Sequence, residues 1–325
     1  MRQTPTEASD SLVARAVAAN AWFTPEQVGH AIDGIALMLQ PDALDTWLSR
    51  YSVDLYRDRP VKDVAMVMAG NIPLVGFHDL MCVLLSGHCA HIKPSGQDTV
   101  LVQALRDMLI AIEPMLEDRM VWHTHLLSGF THVIATGSNN TSRYFESYFG
   151  RYPNIIRRNR SSVAVLTGQE TADDLHLLGR DIFRYFGLGC RNVSKVYLPI
   201  GYDPARLIQG LEGWNDIILH HKYRNNYDYQ KAILLVDRLP HLDNGALLLR
   251  QHDAVASAVA VLHYAQYASM DELNADLNRH RDEIQCIVAG IPIKGFETVP
   301  FGMAQCPAPW DYADGVDTMR FLLGD

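Results

Sequence analysis

The 325-residue chain is poor in cysteine, and what it has is scattered: Cys82, Cys89, Cys190, Cys286 and Cys306 form an odd set without a CxxC pair. Such spacing suggests neither a disulfide framework nor a zinc knuckle, so reduced thiols are expected. Long apolar runs are missing too. No segment approaches the ~20 residues a membrane span needs, and the polar opening MRQTPTEASD is unlike a charged leader before an apolar core. A cytoplasmic protein with no integral membrane contact is the expectation. Basic residues are outnumbered, 28 Lys and Arg against 37 Asp and Glu, for a net charge of −9, and they gather in no stripe. Nucleic acid is therefore not an expected partner.

Several motifs are absent. No GxGxxG follows a strand pattern, which argues against an ordinary dinucleotide-binding dehydrogenase. No GxSxG elbow anchors a serine hydrolase, and no pair of carboxylates can be placed with glycosidase logic. The 14 histidines include His123 with His125 and the adjacent His220 and His221, but none repeats as HxxxH or HExxH beside an acidic partner. No metal site is expected.

What is present is ordinary globular composition, 48% hydrophobic and 20% charged, long enough for two cores. The pattern predicts a helical preface over residues 11–51, with Thr24 capping a helix that has Pro25 at its first position. Apolar strand runs then alternate with helical segments. VAMVMA begins at Val64 and is followed by a helix around HDLMCVLLSG and a strand ending HIKPS. A helix from Asp98 to Ile112, the strand HVIAT and a helix from Asn140 to Phe149 come next. The strand SVAVL, a helix from Ala172 to Phe186 and the strand VSKVYLP complete the regular part. Fully apolar strands alternating with helices imply doubly wound parallel α/β structure. The irregular remainder fits a second α/β layer, and VPFGMAQCPAPWDYADGVDT reads as a long site loop. We expect residues 1–160 to form the preface and a cofactor domain, and residues 161–325 to form a domain carrying a reactive thiol.

Ligands of parallel sheets collect beyond the carboxyl ends of strands. There the sequence places Gly70-Asn71-Ile72-Pro73, Lys93-Pro94-Ser95 and Gly137-Ser138, the last just before a helix. Lys93 offers a point charge, and Gly137 allows close backbone approach at a helix N-terminus, which together suit a phosphorylated cofactor. A fourth segment, YFGLGCRNVSK, sets Cys190 behind Gly187 and Gly189 and before Arg191. Room for a carbonyl beside a thiol and a nearby cation are what a nucleophilic cysteine needs. Cys82, Cys89 and Cys286 read as packing cysteines. His221, in HHKYRNNYDY, is a proton-donor candidate by composition only.

AGNIPL, HIKPS, TGS and GLGC occur in the order and approximate spacing of the Asn-x-Pro, Lys-Pro-Ser, Thr-Gly-Ser and Gly-x-Cys segments of the aldehyde dehydrogenase superfamily. The resemblance is closer to LuxC-type acyl-CoA reductases and runs from about Val64 to the C-terminus. It implies a Rossmann-type parallel-sheet cofactor domain with an α/β catalytic domain. It also implies that Cys190 accepts the acyl group and that Asn71 donates to the oxyanion with the Cys190 N–H. Lys93 and Ser95 would face the adenosine ribose or its phosphate, and Gly137-Ser138 the pyrophosphate. Pro300-Phe301-Gly302 resembles the superfamily's late Pro-Phe-Gly loop, which puts Phe301 on the substrate side. Where oxidising members carry Glu-Leu-Gly-Gly, whose glutamate activates water, this chain reads Ile156-Arg157-Arg158-Asn159.

The resemblance therefore implies NADPH-dependent reduction of a fatty acyl thioester, on coenzyme A or acyl-carrier protein, to an aldehyde, with NADH as the alternative donor. A homo-oligomer or a partner enzyme of the same pathway is compatible with it. The alternatives are an NAD(P)-dependent aldehyde or phospho-semialdehyde dehydrogenase, and a catalytically silent binding module.

Overall fold

The computed structural model describes residues 5–52, 59–137 and 139–324. Two compact units are present, residues 1–159 with 307–325, and residues 160–306. The C-terminal segment thus packs with the first unit, whereas the pattern of the sequence runs the second domain to the chain end.

The first unit opens with three helices, α1 (Pro5–Ala19), α2 (Pro25–Met38) and α3 (Pro41–Leu48). Thr24 caps α2 as expected, its Oγ1 accepting from the Gln27 N–H at 3.2 Å. The preface is no appendage. Ala16, Phe23 and Val28 are buried with Leu101, and Trp47 is fully buried in the main cluster of the unit.

A five-stranded, wholly parallel sheet follows: β1 (Asp63–Val67), β2 (Cys89–Lys93), β3 (Met120–Trp122), β4 (His132–Thr136) and β5 (Asn154–Arg157), in the order β3-β2-β1-β4-β5. Helices α4 (Phe77–Leu85), α5 (Thr99–Ile112) and α6 (Asn139–Phe149) connect its strands. The central residues of β1, β2 and β4 are all buried, the mark of strands covered on both faces. Because β1 lies between β2 and β4, the loops leaving these three strands are neighbours along one edge.

The second unit carries a seven-stranded sheet in the order β12-β11-β6-β7-β10-β9-β8. Its strands are β6 (Ser161–Val165), β7 (Val193–Pro199), β8 (Leu242–Asp243), β9 (Leu248–Gln251), β10 (Val261–Tyr267), β11 (Ile284–Ala289) and β12 (Thr298–Val299). All pair in parallel except β8 with β9. Helices α7 (Ala172–Phe183), α8 (Pro204–Gly210), α9 (His221–Val236) and α10 (Met270–Arg279) belong to this unit, and α11 (Thr318–Leu323) returns to the first.

The pattern of the sequence misses β3, β5, β8, β12, α9 and α11, which are short or, in α9, only weakly amphipathic. No helix among the described residues is long and apolar enough to cross a membrane.

Candidate active site

In the first unit the strand-end segments meet. A Cβ added to Gly70 would lie 2.7 Å from the Cβ of Ser95 and 3.1 Å from the Asp98 nitrogen, so only glycine lets the loop after β1 pack against the loop after β2. The Asn20 amide donates to the Gly70 carbonyl at 3.3 Å. Leu74, which follows Asn71-Ile72-Pro73, has φ of 55°. This left-handed backbone costs a non-glycine residue on the order of 1–3 kcal/mol. What holds it is Asp98, whose carboxylate accepts from the Leu74 N–H at 2.6 Å.

Lys93 and Ser95 are half-buried beside this loop, and the Ser95 hydroxyl accepts from the Gln97 N–H at 3.2 Å. Gly137 ends β4. A side chain there would meet Phe145 at 2.9 Å and Thr141 at 3.0 Å, so glycine admits the close turn into α6. Ser138 lies outside the described residues. An ammonium, a hydroxyl and two glycine-dependent turns on adjacent strand ends fit a phosphate-bearing dinucleotide.

Asp98 has an electrostatic consequence of its own. Burial pushes its carboxyl up to about 7, against the pull of the Leu74 N–H, and its Oδ1 is buried without a partner among the described residues. A carboxyl raised on folding stabilises the fold fully below its unfolded value near 4 and loses that contribution as pH climbs through 7. Urea unfolding at pH 5 and pH 8 should show the wild type losing on the order of 2–3 kcal/mol more than Asp98→Asn. Equal losses would contradict the raised value.

Cys190 lies in the second unit, at the amino end of β7. Helix α7 begins with a capping box between Thr171 and Asp174 and ends at Phe183, three residues before the end its apolar pattern predicts. The backbone then turns through left-handed Tyr185 (φ 53°), Phe186 (φ 58°) and Gly187 (φ 75°). Two bulky residues in that region in succession need compensation from their surroundings.

Asn192 supplies much of it. Its buried amide donates to the carbonyls of Asp181, Ile182 and Arg184 at 3.1, 3.2 and 2.7 Å, and its Oδ1 accepts from the Gly189 N–H at 2.8 Å. The Ser162 hydroxyl donates to the Cys190 carbonyl at 3.1 Å. Phe186 is buried and stacks on His220 at 4.1 Å. A small cleft has Phe186, Gly187, Gly189 and Tyr223 among its walls.

His221 is exposed at the start of α9, its ring 5.3 Å from that of His220. Phe301 is brought to the same region. It packs with Leu178 and Ile182 of α7, and the neighbouring Gly302 and Ala304 N–H groups donate to Asp181 at 2.6 and 2.9 Å. The 300–306 stretch is therefore partly core, with Ala304 fully buried, and not wholly a surface loop.

Among the other thiols, Cys82 is fully buried and burial pushes its pKa well up. Cys286 is half-buried with its sulfur 3.1 Å from the Ser162 hydroxyl that holds the Cys190 carbonyl, so it does more than fill space. Ile156, which stands where the resemblance would put the glutamate, is half-buried in β5, and the next residue, Arg157, is buried. It makes a bidentate pair with Asp79 at 2.6 and 3.2 Å and donates to the Ala313 carbonyl at 2.6 Å. Burial would raise the Asp79 carboxyl, but the guanidinium wins and holds it below the usual range. No group of three His, Cys, Asp or Glu among the described residues could hold a metal ion. His123 instead bonds His91 at 3.0 Å, which bonds Asp63 at 3.1 Å.

Sequence reasoning misses Asp181, Asn192, Ser162 and Asp98. A signal existed for one of them: Asp181 follows Leu178 by three residues on the apolar face of α7, where a carboxylate must have partners.

With this geometry established, comparison with known proteins is decisive. The family model described as acyl-CoA reductase (LuxC) matches residues 4–198, more than half of the chain. The chain belongs to the LuxC acyl-CoA reductase family. The matched span includes Asn71, Lys93, Ser95, Gly137, Ser138 and Cys190 and ends inside β7; His221 and Phe301 fall beyond it.

Solved structures place this LuxC-family chain in the aldehyde dehydrogenase fold. Lactaldehyde dehydrogenase from Escherichia coli is similar at 13% identity with a TM-score of 0.62, over 87% of this chain and 70% of that one. An aldehyde dehydrogenase from Mycobacterium tuberculosis, complexed with NAD+, is similar at 14% identity with a TM-score of 0.56, over 88% of this chain and 74% of that one. An aldehyde dehydrogenase-type protein from Burkholderia cenocepacia is similar at 18% identity with a TM-score of 0.55, over 71% of this chain. The chain spans 58% of that protein's length. At such identities the likeness establishes fold alone. No curated protein matches the chain. The family and fold are those of oxidoreductases that act on acyl and aldehyde groups.

Proposed function

We propose that the chain reduces an acyl thioester to an aldehyde through an acyl group carried on Cys190, with NADPH as hydride donor and acyl-CoA or acyl-carrier protein as the cytoplasmic acyl source. The observation that carries this reading is the cysteine turn: a half-buried thiol on a backbone held by Ser162 and Asn192 beside two glycines.

The Cys190 thiolate attacks the acyl carbon, and the carbon–sulfur bond to the carrier breaks. The carrier thiol leaves with a proton from solvent. Asn71 and the Cys190 N–H are assigned the developing oxyanion. Ile156, in the place of the glutamate, has no group that could act as general base, and neither does the next residue, Arg157, whose guanidinium stays protonated and is committed to Asp79. The missing glutamate supports an acyl-enzyme that waits for hydride instead of meeting activated water. Lys93, Ser95 and Gly137 are the residues assigned to the dinucleotide, which when bound supplies the hydride. Cys190 is released as thiolate, ready for another acyl group.

The test is direct. Protein mixed with a long-chain acyl-CoA without nicotinamide should gain the acyl mass on Cys190 and release aldehyde when NADPH is added. No adduct with any chain length, on either carrier, would point to an aldehyde dehydrogenase or a silent binding module.

A charge reversal, Lys93→Glu, should raise the KM for NADPH by at least about tenfold, the worth of one charged hydrogen bond, and leave the acyl KM within twofold. Equal effects on both constants would remove Lys93 from the cofactor side.

A further inference from the structure

The buried carboxylate of Asp181 has no part in the chemistry above, yet it is fully buried and spends both oxygens on one segment. Its Oδ2 accepts from the Gly302 N–H at 2.6 Å and its Oδ1 from the Ala304 N–H at 2.9 Å. Segment 300–306 follows β12 and runs back beside the last turn of α7. Phe301 buries its ring in the α7 cluster, while Met303 stays exposed. Gly302 has φ of +81°, and a Cβ there would lie 3.0 Å from Leu177, so only glycine allows the segment to lie this close to α7.

The same segment is held a second time from the other side of the nucleophile. Arg191, the residue after Cys190, donates to the Ala304 carbonyl at 3.4 Å. The Asp181 main-chain carbonyl is itself one of the acceptors of Asn192, whose Oδ1 grips the Gly189 N–H. A continuous set of bonds therefore joins the segment, through Asp181 and Asn192, to the residue before Cys190. It closes again through Arg191 after it.

From this we infer that Asp181 is a positioning residue: it latches segment 300–306 as a fixed wall beside the Cys190 turn, and that wall seats the acyl group of the incoming thioester. The inference rests on the reading of Cys190 as the acyl acceptor. A carboxylate suits the task because it offers two acceptors to two N–H groups that burial would otherwise leave unpaired. Asparagine has the same shape but a single acceptor oxygen, so Asp181→Asn releases one of the two N–H groups without opening a cavity.

The experiment compares wild type with Asp181→Asn in the full chain, using three readouts. Amide hydrogen exchange over 300–306 should speed up by at least about tenfold in the variant, the worth of one buried hydrogen bond, while β7 stays protected. Acylation of Cys190 by acyl-CoA should slow by about ten- to a hundredfold, as expected of a misplaced reactant. Alkylation of Cys190 by iodoacetamide, a small reagent that needs no wall, should stay within about twofold, because its rate follows thiolate character and exposure.

Unchanged exchange, unchanged acylation, or an equal slowing with both reagents would overturn the latch. If Asp181→Asn does not fold, the wild type decides: its Gly302 and Ala304 amides must exchange at least about a hundredfold slower than a free chain, and rapid exchange there refutes the inference. A wild type that never acylates removes the underlying reading. A wild type that acylates no faster than Asp181→Asn removes only the latch.

Discussion

Cys190→Ala should abolish acyl-enzyme formation: no mass gain on incubation with acyl-CoA, and aldehyde release at background. Loss of a covalent nucleophile acting as part of a unit costs on the order of 10⁴–10⁶ in turnover. The fold should survive. Cys190 is half-buried, and its turn is held by main-chain groups, its own carbonyl accepting from the Ser162 hydroxyl and the Gly189 N–H donating to Asn192. Thermal unfolding is therefore expected to change little, so lost activity would report chemistry. If Cys190→Ala retained acylation while Cys286→Ala lost it, the nucleophile would be the neighbouring thiol, whose sulfur lies 3.1 Å from the Ser162 hydroxyl.

Asn71→Ala should lower turnover by on the order of a hundredfold or more, the usual effect of deleting an oxyanion donor. The loss should fall on kcat with the acyl KM little changed, because the donor meets charge that develops only in the transition state. The loop itself should hold. Its conformation depends on the Asp98 carboxylate at the Leu74 N–H, on the Asn20 amide at the Gly70 carbonyl, and on the absence of a side chain at Gly70. Single-turnover acylation in stopped flow would separate the cases: an unimpaired rate removes Asn71 from the oxyanion, and a slow rate with normal unfolding supports it. Asp98→Ala makes a useful contrast, since it should disturb Asn71 indirectly and lower stability as well.

Local signals carried much of this architecture. The run at Val64–Val67 is legible as a buried strand because strands covered on both faces are continuously apolar. Thr24-Pro25 was legible as a helix start because a cap is set by the residues that make it. β5 was not legible: NIIRR offers only a short apolar pair, and it becomes a strand because β4 lies beside it in register, Ile134 with Ile155. Helix α7 was read three residues too long, since nothing in RYFG announces left-handed Tyr185 and Phe186. Their conformation is set by contacts made elsewhere, Phe186 on His220 and Asn192 on three carbonyls.

The site divides along the same line. Asn71, Lys93, Ser95, Gly137 and Cys190 were singled out because each sits in a short segment whose residue types suggest chemistry without reference to partners. Asp98, Asp181, Ser162 and Asn192 carry no such mark, since their importance consists of bonds to Leu74, to Gly302 and Ala304, to Cys190 and to Gly189. Arg157 belongs to both groups. The sequence shows it next to Ile156, which replaces the glutamate, but its pairing with Asp79 and the Ala313 carbonyl needs α4 and the C-terminal segment brought to it.

Periodicity and short motifs in the chain were enough to establish the alternation of strands and helices, the reactive-thiol candidate and the family resemblance, because these depend on near neighbours. The return of the C-terminal segment to the first unit, the left-handed turn before Cys190 and the two buried carboxylates that hold loops in place were decided by packing. Each depends on a main-chain N–H or a ring contributed by a residue distant in sequence, and burial is what makes leaving those groups unpaired too costly.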